Sequence, residues 1–118
     1  MRILVVENNA LVRDVISEGL RQAGYEALEA SNADEAFAVL DRHGPDVLVA
    51  DIELSGGMTG WDVAVRGREK NPRLAVIYAS GFAPDRSREV PHSRHLTKPF
   101  KPGQVIQAAN EIALELGL

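Results

Sequence analysis

The chain has 118 residues, enough for one domain with a core of its own. Its net charge of −4 and its lack of cysteine exclude disulfides, thiolate metal sites and a cysteine nucleophile, and argue against a broad basic surface for nucleic acid or anionic membrane. Apolar and charged contents are those of an ordinary globular protein rather than of a disordered or membrane-embedded chain.

Met1-Arg2 leads into Ile3-Leu4-Val5-Val6, an apolar run too short for a signal segment or a membrane span. The expectation is a cytoplasmic protein whose first element is a strand buried on both faces. Leu11, Val12, Val15, Ile16, Leu20 and Ala23 then recur at helical spacing, and Gly24 is placed to end that helix. Tyr25 to Ala30 carries glutamates at 26 and 29 and reads as a less buried edge strand. Ala33, Ala36, Phe37 and Leu40 make a second helical face, with Asn32 as its N-cap, Glu35 three residues on, and His43-Gly44-Pro45 as its stop.

Val47 to Ala50 is a second continuous apolar run, and Leu74 to Ala79 a third. Between them Thr59 caps a helix carrying Trp61, Ala64 and Val65. Arg66, Arg68, Lys70 and Arg73 read as its solvated basic face, without the interleaved aromatics of a nucleic-acid site. Arg94 to Thr97 is short and mixed and suits the opposite edge of a sheet. The last helix starts near Pro102 and has Val105, Ile106, Ala109, Ile112, Ala113 and Leu116 on its apolar face.

This is a β-α unit repeated about five times, with no internal repeat or linker. Right-handed crossovers turn such a chain into a doubly wound parallel sheet, with functional groups at the carboxyl ends of the strands. Those ends carry Glu7-Asn8, Asp51, Ser80-Gly81 and Lys98-Pro99. Taken singly, each is ordinary turn or cap chemistry. Taken together, they deliver carboxylates, an amide, a hydroxyl and an ammonium to one rim. Carboxylate oxygens suit Mg²⁺, a carboxylate can attack phosphorus to give an aspartyl phosphate, and lysine, metal and hydroxyl stabilise the phosphoryl oxygens. His43, His92 and His95 lack ligand spacing and are not read as a metal site. Trp61 is read as a packing residue.

The runs Ile3-Leu4-Val5-Val6-Glu7-Asn8, Asp46-Val47-Leu48-Val49-Ala50-Asp51, Val76-Ile77-Tyr78-Ala79-Ser80-Gly81 and Leu96-Thr97-Lys98-Pro99-Phe100 resemble the four signature segments of response-regulator receiver domains. The resemblance covers residues 1–118 as one phospho-acceptor domain. It implies a flavodoxin-like five-stranded sheet of order 2-1-3-4-5. It implies a signalling switch rather than an enzyme with a separate substrate. Asp51 would take a phosphoryl group from a sensor histidine kinase, a phosphotransfer protein or a small phosphodonor. Glu7, Asn8, Asp51 and the backbone carbonyl of Glu53 would hold Mg²⁺. Ser80 and Lys98 would bind phosphoryl oxygens, and Ser80 and His95 would be the switch residues, with Lys98-Pro99 joined by a cis bond. The output edge, and a homodimer through it, would use the fifth strand and the last helix, with no direct contact to nucleic acid or membrane.

Four departures from the family pattern stand out. Asn8 takes the place of a usual Asp. His95 takes the place of a usual aromatic. Gly56-Gly57 falls where a Pro is common and should give that loop unusual freedom. The stretch from Ser80 to Lys98, with Pro84 and Pro91, is short by roughly one helical turn. A stunted fourth helix follows from that, with residues 83 to 92 mobile and weakly packed.

Two other readings compete with the switch. One is a pseudo-receiver, an interaction module with a weakened pocket, favoured by Asn8 and opposed by Asp51, Ser80 and Lys98. The other is a nucleotide-dependent enzyme, opposed by the lack of G-x-G-x-x-G after the first strand and of any P-loop. The chain would be either a stand-alone receiver or one domain of a hybrid kinase.

Overall fold

The computed structural model describes residues 1–82 and 85–117. Five strands and four helices alternate: β1 (Arg2–Val6), α1 (Ala10–Gln22), β2 (Glu26–Ala30), α2 (Ala33–His43), β3 (Val47–Asp51), α3 (Gly60–Lys70), β4 (Ala75–Ser80), β5 (Ser93–Thr97) and α4 (Pro102–Glu115). The strands form one parallel sheet of order β2-β1-β3-β4-β5, as the sequence predicts.

Strand alternation sorts the core into two layers. Leu4, Val6, Leu48, Ala50, Val76 and Tyr78 face α2 and α3. Ile3, Val5, Val47, Val49, Ala75 and Ile77 face α1 and α4. With every one of these side chains buried, a one-residue slip of any central strand would exchange its two faces. The sheet therefore holds the four strand ends in fixed register.

The helix boundaries follow local chemistry. Asn32 accepts from Glu35 N at the start of α2, while Glu35 reaches back to Ser31, one residue before the cap. Thr59 and Asp62 close a reciprocal capping box on α3. Ala23 caps α1 and Gly24 follows it at φ +95°.

Two expectations about helix faces need correction. The apolar stripe on α1 is only partly buried: Leu20 packs in the core, but Leu11 is 74% and Val15 66% exposed. The helix rolls so that Ser17 and Leu20 face the sheet. On α3, Val63, Ala64 and Gly67 are the buried line, and Val65 turns outward.

The basic face of α3 is not simply solvated. Arg66 lies over the Phe37 ring, Lys70 pairs with Asp41, and Arg68 donates to the carbonyls of Leu74, Pro91 and His92.

The fourth helix is reduced further than the sequence suggests. Between β4 and β5 the described residues hold a single 3-10 turn at Arg86–Arg88. This segment is largely exposed, yet it is tied down. Val90 N donates to the buried Tyr78 hydroxyl, Ser93 Oγ donates to Val90 O, and Arg88 stacks on Trp61. Exposure over residues 85–92 accords with the expected weak packing, and polar contacts to α3 and β4 add anchors that the sequence did not suggest. Residues 83 and 84 lie outside the described residues.

Candidate functional site

The four predicted strand ends converge. Asp51 closes β3 and is 7% exposed, and Glu7 follows β1 and is 2% exposed. Lys98, after β5, reaches both: its Nζ donates to Glu7 Oε1 and, at 3.0 Å, to Asp51 Oδ2. The other Asp51 oxygen accepts from Glu53 N at 3.1 Å. The backbone of Lys98 is pinned by its own N–H to Ser80 O at 2.8 Å, and the Lys98–Pro99 bond is cis.

Local backbone explains why these groups sit still. Glu7 N continues the ladder to Ala30 O, Glu7 Oε2 accepts from Asn9 N, and the Glu7 carbonyl accepts from Arg13 Nη1 at 2.8 Å. Gly60 opens α3 directly against the end of β3. A Cβ there would lie 2.4 Å from Asp51 O, so only glycine permits this approach. The loop leading to it turns through Gly56 and Gly57 at φ +85° and +84°, a conformation that side chains disfavour.

Two carboxylates around one ammonium set the electrostatics. Burial, and then the neighbouring Asp51, push the Glu7 carboxyl above its ordinary range against the pull of Lys98. Burial works to lower Lys98, but its hydrogen bonds to Glu7 and Asp51 prevail and hold the ammonium above its usual value. The pocket thus presents hard oxygen donors around the Lys98 ammonium. Asn8 and Glu53 lie exposed on its rim. Among the described residues no three His, Cys, Asp or Glu side chains gather as a metal cluster, so any third protein donor is a backbone carbonyl or the Asn8 amide oxygen.

Ser80 and His95 belong to the neighbouring strand pair. Ser80 is buried, and its Oγ contacts Phe82 O at 2.8 Å and His95 Nε2 at 2.7 Å. The sequence reading did not find Arg13, Gly60 or the Phe82 carbonyl. A helix residue six positions after Glu7 and a glycine in the first turn of a helix carry no signal of their own without the fold.

Residues 3–110 match the response regulator receiver domain family. The chain belongs to that family, the receiver domains of two-component response regulators, which work in phosphorylation-dependent signalling with histidine kinases or phosphotransfer proteins.

Among curated relatives it is 30% identical to the phosphate regulon transcriptional regulatory protein PhoB of Pseudomonas aeruginosa, over 98% of this chain and 52% of that one. It is 31% identical to the sensory transduction protein LytT of Bacillus subtilis, over 91% and 46%. The chain thus spans about half the length of the curated relatives it matches. Among solved structures, a response regulator receiver protein from Sinorhizobium medicae superposes with a TM-score of 0.88 at 30% identity, covering 97% of this chain and 94% of that one. The Vibrio cholerae chemotaxis protein CheY4 shares the fold, with a TM-score of 0.81 at 21% identity over 94% and 97%. Among the described residues no helix is long and apolar enough to cross a membrane.

Proposed function

We propose that residues 1–118 form one receiver domain that accepts a phosphoryl group on Asp51 and changes its contact surface in response. The observation that carries this reading is the Asp51 carboxylate, buried at a strand end between the Lys98 ammonium and the Glu53 amide, with Glu7 beside it. One Asp51 oxygen forms the new O–P bond. The P–N bond of a phosphohistidine, or the P–O bond of an acyl phosphate, breaks, and its electron pair leaves with the donor group.

Glu7, Asp51, the Glu53 carbonyl and Asn8 would hold Mg²⁺, as the two converging carboxylates suit a hard cation. When bound, that ion neutralises charge on the transferring group. Lys98 stays to bind one phosphoryl oxygen, and Ser80 donates to another once its hydroxyl turns toward β3. Nothing in this chemistry calls for a separate substrate. The direct contacts among Asp51, Lys98 and Glu7 speak against the pseudo-receiver reading.

The donor would be a sensor histidine kinase, a phosphotransfer protein or a small phosphodonor in the cytoplasm. The β5–α4 edge, with Arg94 paired to Glu111 and Glu115, is the proposed output and homodimer surface. Treatment with acetyl phosphate and Mg²⁺ tests the reading by mass spectrometry. One phosphoryl group is expected on the chain and none on Asp51→Asn. Equal labelling of that variant refutes the assignment.

A further inference from the structure

The Ser80 hydroxyl is turned away from the site it would serve. β4 lies between β3 and β5. Asp51 ends β3 on one side, while Ser80 Oγ is engaged with His95 of β5 on the other. Its two contacts fix the protons. Phe82 O can only accept, and the hydroxyl has one proton to give. Distances of 2.8 Å to Phe82 O and 2.7 Å to His95 Nε2 are both favourable only when Ser80 donates to Phe82 and His95 donates to Ser80. The imidazole therefore carries its proton on Nε2, as the neutral ring or as the imidazolium.

A second feature lies in the segment that leads into β5. The Glu89 side chain is 5% exposed, and Oε1 lies 3.4 Å from Arg86 Nε. Among the described residues its Oε2 is buried with no hydrogen-bond partner. A buried carboxylate oxygen without a partner is costly, and a cation in reach relieves it. Glu89 raises the proton affinity of His95, while burial, the larger effect, and Arg86 lower it. From α4, Gln104, Gln107 and Glu111 line the cleft at His95, and Glu111 is held by Arg94 of β5.

We propose that His95 is a positioning residue that holds the Ser80 hydroxyl in its disengaged orientation, and that this hold strengthens when the ring takes up a second proton. The proposal rests on the reading of Asp51 as phospho-acceptor. An imidazolium gives Ser80 a charge-assisted bond, about twice as strong as that from the neutral ring. When Ser80 turns to the phosphoryl group, the half-buried ring loses its acceptor, and the loss is greater for the charged form. His95 thus binds its second proton more tightly in the held state. The held state gains as pH falls, and the engaged state gains as pH rises.

The test compares acetyl phosphate labelling rates of the wild-type chain and of His95→Phe, measured in parallel so that the donor's own titration cancels. As pH falls from about 8 to about 5, a range extended below the ordinary histidine window because burial lowers the proton affinity of His95, the wild-type to variant ratio is expected to fall about fivefold, the difference between a charged and a neutral hydrogen bond. Glu89→Gln should move that fall to lower pH. His95→Gln, which keeps an N–H donor but cannot titrate, should label with a flat ratio to His95→Phe. Parallel wild-type and His95→Phe profiles overturn the proposal. If no chain labels at any pH, the Asp51 reading fails. NMR titration of the His95 ring in the unphosphorylated protein then decides the rest. Ser80→Ala should shift the His95 midpoint to lower pH, and an unmoved midpoint overturns the proposal.

Discussion

At the scale of single residues, the pocket combines side chains visible in the sequence with backbone constraints that are not. Asp51, Glu7, Lys98 and Ser80 were legible because strand ends collect function in this topology, and each lies where its run ends. Gly60 was not legible, since its role exists only once α3 packs on the end of β3. Gly60→Ala should therefore act on the site through the backbone. With a Cβ 2.4 Å from Asp51 O, α3 has to shift, and overpacking of this kind costs about 1–3 kcal/mol. Chemical denaturation should show that loss, together with slower acetyl phosphate labelling, and unchanged values would mean the helix has room. Asn8 gives a gain-of-binding prediction. An added carboxylate at the exposed rim, Asn8→Asp, should tighten Mg²⁺ by about 1 kcal/mol, the Coulomb energy of one charge at a rim dielectric. Equal or weaker binding in a titration would remove Asn8 from the donor set.

At the scale of elements, the crossover between β4 and β5 is the part that departs most from a helix-by-helix reading. Its prolines and its length foretold a stunted helix. They did not foretell the anchors, because those come from residues distant in sequence: Arg68 on α3 and Tyr78 on β4. The roll of α1 was hidden for a related reason. Helical periodicity shows which residues share a face, but Leu11 and Val15 stay exposed because the sheet meets the helix along Ser17 and Leu20. Removing an anchor should loosen the crossover. Arg68→Met keeps the aliphatic stem but leaves the Leu74, Pro91 and His92 carbonyls without their donor, at a cost of about 1.5–3 kcal/mol for bonds to a charged group. Amide exchange should accelerate across residues 90–93 more than in β1 or β3. Uniform acceleration would show that Arg68 supports the whole fold instead.

At the scale of the whole molecule, two apolar layers enclose a sheet whose rim carries the chemistry, and signal and stability are divided between them. In the proposed switch the rim changes state without repacking the layers, because Ser80 needs only to rotate. An amide shift map with and without a phosphoryl mimic at Asp51 should therefore concentrate changes on residues 82 to 97 and the adjoining face of α4. Changes confined to α1 and α2 would contradict the proposed output edge. The reduced crossover has a further consequence, in the order of assembly. The first three β-α units each bring a helix that stabilises its strand through near-neighbour contacts. Among the described residues the β4–β5 connection has one 3-10 turn, so β5 joins the sheet with little local structure to guide it. Contacts made by this segment should be absent when the chain crosses its folding barrier. Arg68→Met and Tyr78→Phe should then speed unfolding while leaving the refolding rate nearly unchanged, the signature of late-forming contacts. The segment that tunes the switch would also be the place where the native state first comes apart, so the lifetime of the folded chain would be set beside its signalling edge.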